Sequence, residues 1–215
     1  LVLWDIIVLI VADQLGIPVT SLVALLSVVS LAVSLAVQSV LSNIAGGLVI
    51  LVTKPFQLGD LVETADGLGT VKEISLTFTK LETPDGLWLM TPNSVLSSGK
   101  ITNYTALGRR RAEIRVGASY DAAVSDVRAA CLDAAARVPG VLPDPAPIVY
   151  VDSYGESSIS YIVRVWCRSE DYTDVYYGLT EGLKAAFDEH GVEMPYNHLN
   201  IHILDQTEQK EKQTV

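Results

Sequence analysis

The side chains that most often carry chemistry are sparse in this 215-residue chain and poorly spaced for it. The three histidines, His190, His198 and His202, crowd the C-terminal end, and no serine or aspartate forms a nucleophile-elbow arrangement with them. His198 and His202 would lie about 13 Å apart along a strand, with no carboxylate or cysteine triad beside them, so no metal site is expected. Cys131 and Cys167 lack a Cys or His partner at ligand spacing; one falls in a helical pattern and the other ends an alternating strand, so both are expected in the interior. Gly67 and Gly69 in DGLGTV sit in a strand turn without the following helix that a phosphate loop requires. No catalytic residue, metal or cofactor is called for, and the chain does not read as an enzyme.

What the chain does offer is a physical device. From Gln14 to Thr53 there are 40 residues without a single Asp, Glu, Lys or Arg. As one helix this stretch would reach roughly 60 Å at about 1.5 Å per residue, about twice a bilayer's hydrocarbon core, so it is expected to cross a membrane and to bend or run on beyond it. Stepping about 100° per residue puts Ser27, Ser30 and Ser34 in one sector, Leu31 and Leu35 with Val28 in the next, and Ala32 and Ala36 in the one after. Leu26, Val29, Val33 and Val37 fill the remaining arc. The two small-residue flanks let copies of the helix approach closely, Ser flank against Ala flank. A contact between unlike flanks is head-to-tail and closes into a ring. The sector between the flanks would then face the axis, and a ring made by Leu31 and Leu35 would be a hydrophobic constriction that stops ions by dewetting. Alternatively, the small residues serve only packing within a polytopic bundle.

The rest of the chain must hold such a helix in place. Residues 1–15 read as the tail of a preceding span, with no basic n-region or cleavage pattern of a signal peptide. The pore-lining helix covers 17–54, with a short amphipathic segment over 40–53 ended by Lys54-Pro55. Phe56 either contacts that helix or belongs to the core of the next domain. Over 55–104, short alternating strands at 61–64, 69–75, 78–83, 87–91 and 100–104 are separated by Asp66-Gly67 and Pro84-Asp85-Gly86, the pattern of a small β-barrel. Over 105–198 a strand, helix, strand, strand, helix order predicts a ferredoxin-like α/β domain. Residues 199–206 are a lone strand in need of a neighbour, and 207–215 a charged, disordered tail.

Charge adds orientation and excludes a partner class. No Lys or Arg precedes Lys54, so the positive-inside bias puts the C-terminal region in the cytoplasm. The chain carries a net charge of −10 and no basic stripe with interleaved aromatics, which argues against nucleic acid. With all acidic residues but Asp5 and Asp13 lying beyond the first span, that region predicts weak anion preference or cation preference in any pore it serves.

The segments SLAVSLAVQSVLSNIAGG, KPFQLGD, GTVKEI, TPDGLWLMTPNSVLSSGKITNYT, RVWCRSED and VYYGLTEGLKAAFDEHGVEMPYN, in this order, resemble the mechanosensitive channels of small conductance (MscS-like). The resemblance runs from about Val19 to Asp205. It implies an inner-membrane, multi-pass homoheptamer that opens under tension and releases ions and small osmolytes on hypo-osmotic shock. It further implies a constriction at Leu31 and Leu35, a bend after Gln38, an Sm-like β domain, and a C-terminal strand in an intersubunit barrel. The family's glycines are replaced here by Ser27, Ser30, Ser34 and Ser39, so the bend is sought at Gln38, Ser39, Gly46 or Gly47. The competing class is a membrane-anchored ligand-binding or signalling module in which the long helix is only an anchor.

Overall fold

The structure, a computed structural model, describes residues 2–16, 19–199 and 201. It divides into two compact units, Leu1–Ala106 and Leu107–Val215.

The first unit opens with helix α1 (Val2–Gln14) and the 35-residue helix α2 (Val19–Thr53). α2 is unbroken. The separate amphipathic segment expected over 40–53 is its C-terminal part, because Gly46 and Gly47 are held in helical conformation under close packing. The helix stops at Lys54, whose φ of 48° is left-handed, and its N–H still reaches the Ile50 carbonyl at 2.9 Å. Pro55, with no N–H to donate, follows.

Beyond it lie β1 (Leu61–Thr64), β2 (Gly67–Ile74), β3 (Phe78–Glu82), β4 (Trp88–Pro92), helix α3 (Asn93–Ser98) and β5 (Thr102–Asn103). The strands form one antiparallel sheet in the order β4-β3-β2-β1-β5. Gly67 and Gly86, at φ 141° and 78°, take the backbone conformations that their turns demand. Alternation buries Val62, Val71 and Leu81 on one face, where Ile50, Phe56 and Leu96 join them. Phe56 therefore does both things the sequence allowed: it sits in the β-domain core and shares that core with Ile50 of α2. The α3 turn was not foreseen. Six residues reading NSVLSS are too short to display a helical period, and only Leu96 is buried among their apolar side chains. The fifth strand is shorter than the expected 100–104, pairing only Val62 with Asn103 and Glu63 with Thr102.

The second unit contains β6 (Arg109–Ala118), α4 (Val124–Arg137), β7 (Ile148–Tyr154), β8 (Ile159–Arg168) and α5 (Tyr172–Glu189). β8 lies between β6 and β7 and is antiparallel to both, so β6 and β7 run parallel, joined through α4. This is the split βαβ arrangement of a ferredoxin-like sheet. Period-two burial along β8 sends Tyr161, Val163, Val165 and Cys167 into a core completed by Val127 and Cys131 from α4 and Leu179, Leu183 and Phe187 from α5. Both cysteines are buried and free. The strand expected at 199–206, apart from Leu199 and Ile201, and the tail at 207–215 lie outside the described residues, as does His202.

Candidate functional site: the apolar helix and its joint with the β domain

α2 is built of residues that have nowhere to go in a single chain. Every residue from Val23 to Ser42 is exposed, including Leu31 at 60% and Leu35 at 62%. A bare aliphatic surface of this size is incompatible with water and marks a surface covered by lipid or by further protein. Helical geometry keeps the serine side, the Leu31/Leu35 line and the Ala32/Ala36 side as adjacent longitudinal strips, as the sequence spacing requires.

The serines that stand in the strip are tolerated in a dry surrounding for a local reason. Ser27 Oγ donates to the Val23 carbonyl and Ser34 Oγ to the Ser30 carbonyl, each at 2.8 Å. Their hydroxyl protons are thus spent inside the helix, and each side chain presents little more than a methylene-sized bump. The helix is continuous through Gln38, Ser39, Gly46 and Gly47, and these four are not equivalent. Gln38 and Ser39 lie in the exposed part, and the Ser39 carbonyl accepts a bond from Asn43 Nδ2 at 2.9 Å. Gly46 and Gly47 are buried: a Cβ on Gly46 would stand 2.7 Å from the Asn93 carbonyl carbon, and one on Gly47 would stand 2.4 Å from the Leu76 carbonyl oxygen.

The glycine pair thus opens a seat in which the β domain grips the helix. Asn43 Oδ1 accepts the Ser94 N–H at 3.1 Å and the Ser94 hydroxyl at 2.7 Å, serving the first turn of α3. Asn93 beside it is fully buried; its Nδ2 donates to the Ser75 carbonyl at 2.8 Å, its Oδ1 accepts from Thr79 Oγ1 at 2.8 Å, and its N–H reaches the Thr77 carbonyl. One turn further, Ile50 is 1% exposed in the β-domain core. Asn43, Asn93 and Ser94 were absent from the sequence-derived site. The signal was there, an asparagine inside a charge-free apolar run with Gly-Gly one turn on and Pro-Asn-Ser about fifty residues later, but their meeting is a tertiary fact.

The comparisons with known proteins cover all three parts. Residues 1–38 match the family model described as mechanosensitive ion channel, transmembrane helices 2/3; residues 39–106 match the mechanosensitive ion channel beta-domain; residues 112–194 match the MscS C-terminal domain. An MscS family protein of Synechocystis sp. is 34% identical over 92% of this chain and 67% of its own length. The small-conductance mechanosensitive channel of Edwardsiella ictaluri is 33% identical over 80% of this chain and 60% of its own length. This chain therefore spans about three-fifths to two-thirds of those relatives. The closed-state crystal structure of Helicobacter pylori MscS superposes with a TM-score of 0.85 at 30% identity, covering 92% of this chain and 79% of that one. With its apolar helix, β domain and α/β domain each matched, the chain belongs to the MscS family of mechanosensitive ion channels.

Proposed function

We propose that this chain forms the pore-lining and post-pore part of a subunit of a membrane channel opened by tension. The carrying observation is α2 itself: a 35-residue apolar helix, bare from Val23 to Ser42, whose lower end is clamped into a folded domain. Copies standing side by side, most economically a homoheptamer as in the family, bury the Ser27/Ser30/Ser34 strip of one helix against Ala32 and Ala36 of the next. Leu31 and Leu35 then face the axis and hold the pore dry. Tension favours whichever state occupies more membrane area, so the ring tilts and parts and water re-enters. Any bend falls at Gln38 or Ser39, above the clamp, since bending at Gly46 or Gly47 would unseat α3. α1 belongs to a second membrane span beside α2, and the folded region beyond Lys54 lies in the cytoplasm. Permeant species are ions and small osmolytes, released on hypo-osmotic shock, with weak anion preference or cation preference because the post-pore region is acidic.

The test is conductance. Full-length protein reconstituted in liposomes should pass current under suction, and Leu31→Ser or Leu35→Ser should open at lower tension or leak at rest. Silence of the wild type up to membrane rupture, with the protein intact and oligomeric, would return the long helix to the role of a mere anchor. Reversal potentials in a salt gradient check the selectivity, and strong anion preference would refute that part.

A further inference from the structure

Asp60 gathers three segments of the first unit at one carboxylate. Its Oδ2 accepts the Gln57 N–H at 2.8 Å and Asn103 Nδ2 at 2.9 Å, and its Oδ1 accepts Thr105 Oγ1 at 2.8 Å. The Asn103 amide also reaches the Pro55 carbonyl at 3.3 Å, two residues past the end of α2. On its other side Asn103 Oδ1 accepts the N–H groups of Thr105 and Ala106 at 3.0 and 2.9 Å, and Thr105 Oγ1 accepts the Leu61 N–H at 3.1 Å. One half-buried cluster thus joins the loop leaving α2, the start of β1, and the turn that ends at Ala106, the last residue before the second unit.

The backbone alone makes a weak joint here. β5 is two residues long and shares only two pairs with β1, supplemented by the Tyr104 N–H to Leu61 carbonyl bond at 2.9 Å. Hydrogen bonds to an ionised carboxylate are stronger than neutral ones and directional. Burial pulls the Asp60 carboxyl upward, but the bonds from Asn103, Gln57 and Thr105 together outweigh it and hold the group below its usual range, so it is ionised at neutral pH.

We infer that Asp60 is a positioning residue for gating: its carboxylate fastens the segment that leaves the pore helix to the segment that leads into the second unit. Displacement of the lower end of α2 then loads this cluster before it reaches the chain beyond Ala106. This role rests on the tension-gated reading above. Asp60 touches neither the proposed constriction nor the helix strips, so its removal changes the balance of states and leaves the open pore alone.

The experiment compares full-length wild type, Asp60→Asn, Thr105→Val and Thr64→Val in excised patches, reading open probability against tension. Thr64 Oγ1 donates to the Gly67 carbonyl in the same sheet, outside the cluster, and serves as control for general weakening of the domain. The chain as a whole superposes on a closed-state channel, and in the role inferred here the cluster holds the segment after α2 in that arrangement, so cutting it favours opening. At a fixed tension below the wild-type midpoint the open-to-closed ratio should rise about tenfold in Asp60→Asn and by a smaller factor in Thr105→Val. Unitary conductance should stay unchanged, and Thr64→Val should behave as wild type. If both cluster variants gate as wild type, or if Thr64→Val shifts as much as they do, the role is overturned. If Asp60→Asn fails to assemble, Thr105→Val, which deletes one hydroxyl and no charge, decides alone. A wild type that stays shut up to lytic tension defeats the channel reading and this role with it; silent variants beside a normally gating wild type defeat the role only.

Discussion

Asn43, in the C-terminal third of the apolar helix, holds Ser94 by both its backbone N–H, at 3.1 Å, and its hydroxyl, at 2.7 Å. One side chain thus caps a short helix 51 residues away in sequence and ties the membrane-spanning element to the β domain. The bond pair sits over the seat opened by Gly46 and Gly47, so polar attachment and close packing reinforce each other.

Asn43→Ala removes the acceptor and leaves the Ser94 N–H, in the first turn of α3, without its partner. The expected cost is about 1–3 kcal/mol. Amide hydrogen exchange should show faster opening over Asn93–Ser98 and little change in the second unit. Unchanged exchange in α3 would mean that packing alone holds this joint.

Gly47→Ala should be more damaging than most Gly to Ala changes in a helix, which gain helix propensity. Here the new Cβ would meet the Leu76 carbonyl oxygen at 2.4 Å and Asn93 Nδ2 at 2.6 Å, and the first of these is backbone that cannot rotate away. Overpacking of this kind costs about 1–3 kcal/mol. A lowered denaturation midpoint checks it; an unchanged or raised midpoint would show that α2 is free to lift off α3.

Cys131 should be inert in the folded protein. Burial among Val127, Ala134 and the β8 side chains pushes its thiol up to about 12, so almost no thiolate exists at pH 8 and none is exposed. Alkylation by iodoacetamide should proceed only at the rate of unfolding, and Cys167, also buried with its thiol pushed up, should behave alike. Rapid stoichiometric labelling under native conditions would contradict the packing of this core.

Acid should loosen the first unit through Asp60. Its folded-state pKa is depressed, so its contribution to stability is present above the unfolded value of about 3.9 and is lost as pH falls through the folded value. Thermal melts from pH 6 down to pH 2 should therefore show a steeper loss in wild type than in Asp60→Asn, which has already lost the ionised acceptor. Parallel acid limbs in the two proteins would remove Asp60 from this account.

Much of this protein is decided by its sequence alone, because the decisive constraints are one-dimensional. Forty residues without charge oblige a membrane-crossing helix whatever follows. The 100° step fixes which of Ser27, Leu31 and Ala32 share a strip, and period-two burial fixes which side of β8 enters the core. Turn residues such as Gly67 and Gly86 stand where their backbone conformations require them. Tertiary structure decided the rest. Gly46 and Gly47 look like helix breakers in sequence, yet the helix continues, because their missing side chains admit Asn93 and Leu76 instead of freeing the backbone. The α3 turn is too short to show a period, and the Asn43–Ser94, Asp60–Asn103 and Asp60–Thr105 pairs unite residues more than forty positions apart by hydrogen bonds, which are directional and leave no periodic trace along the chain.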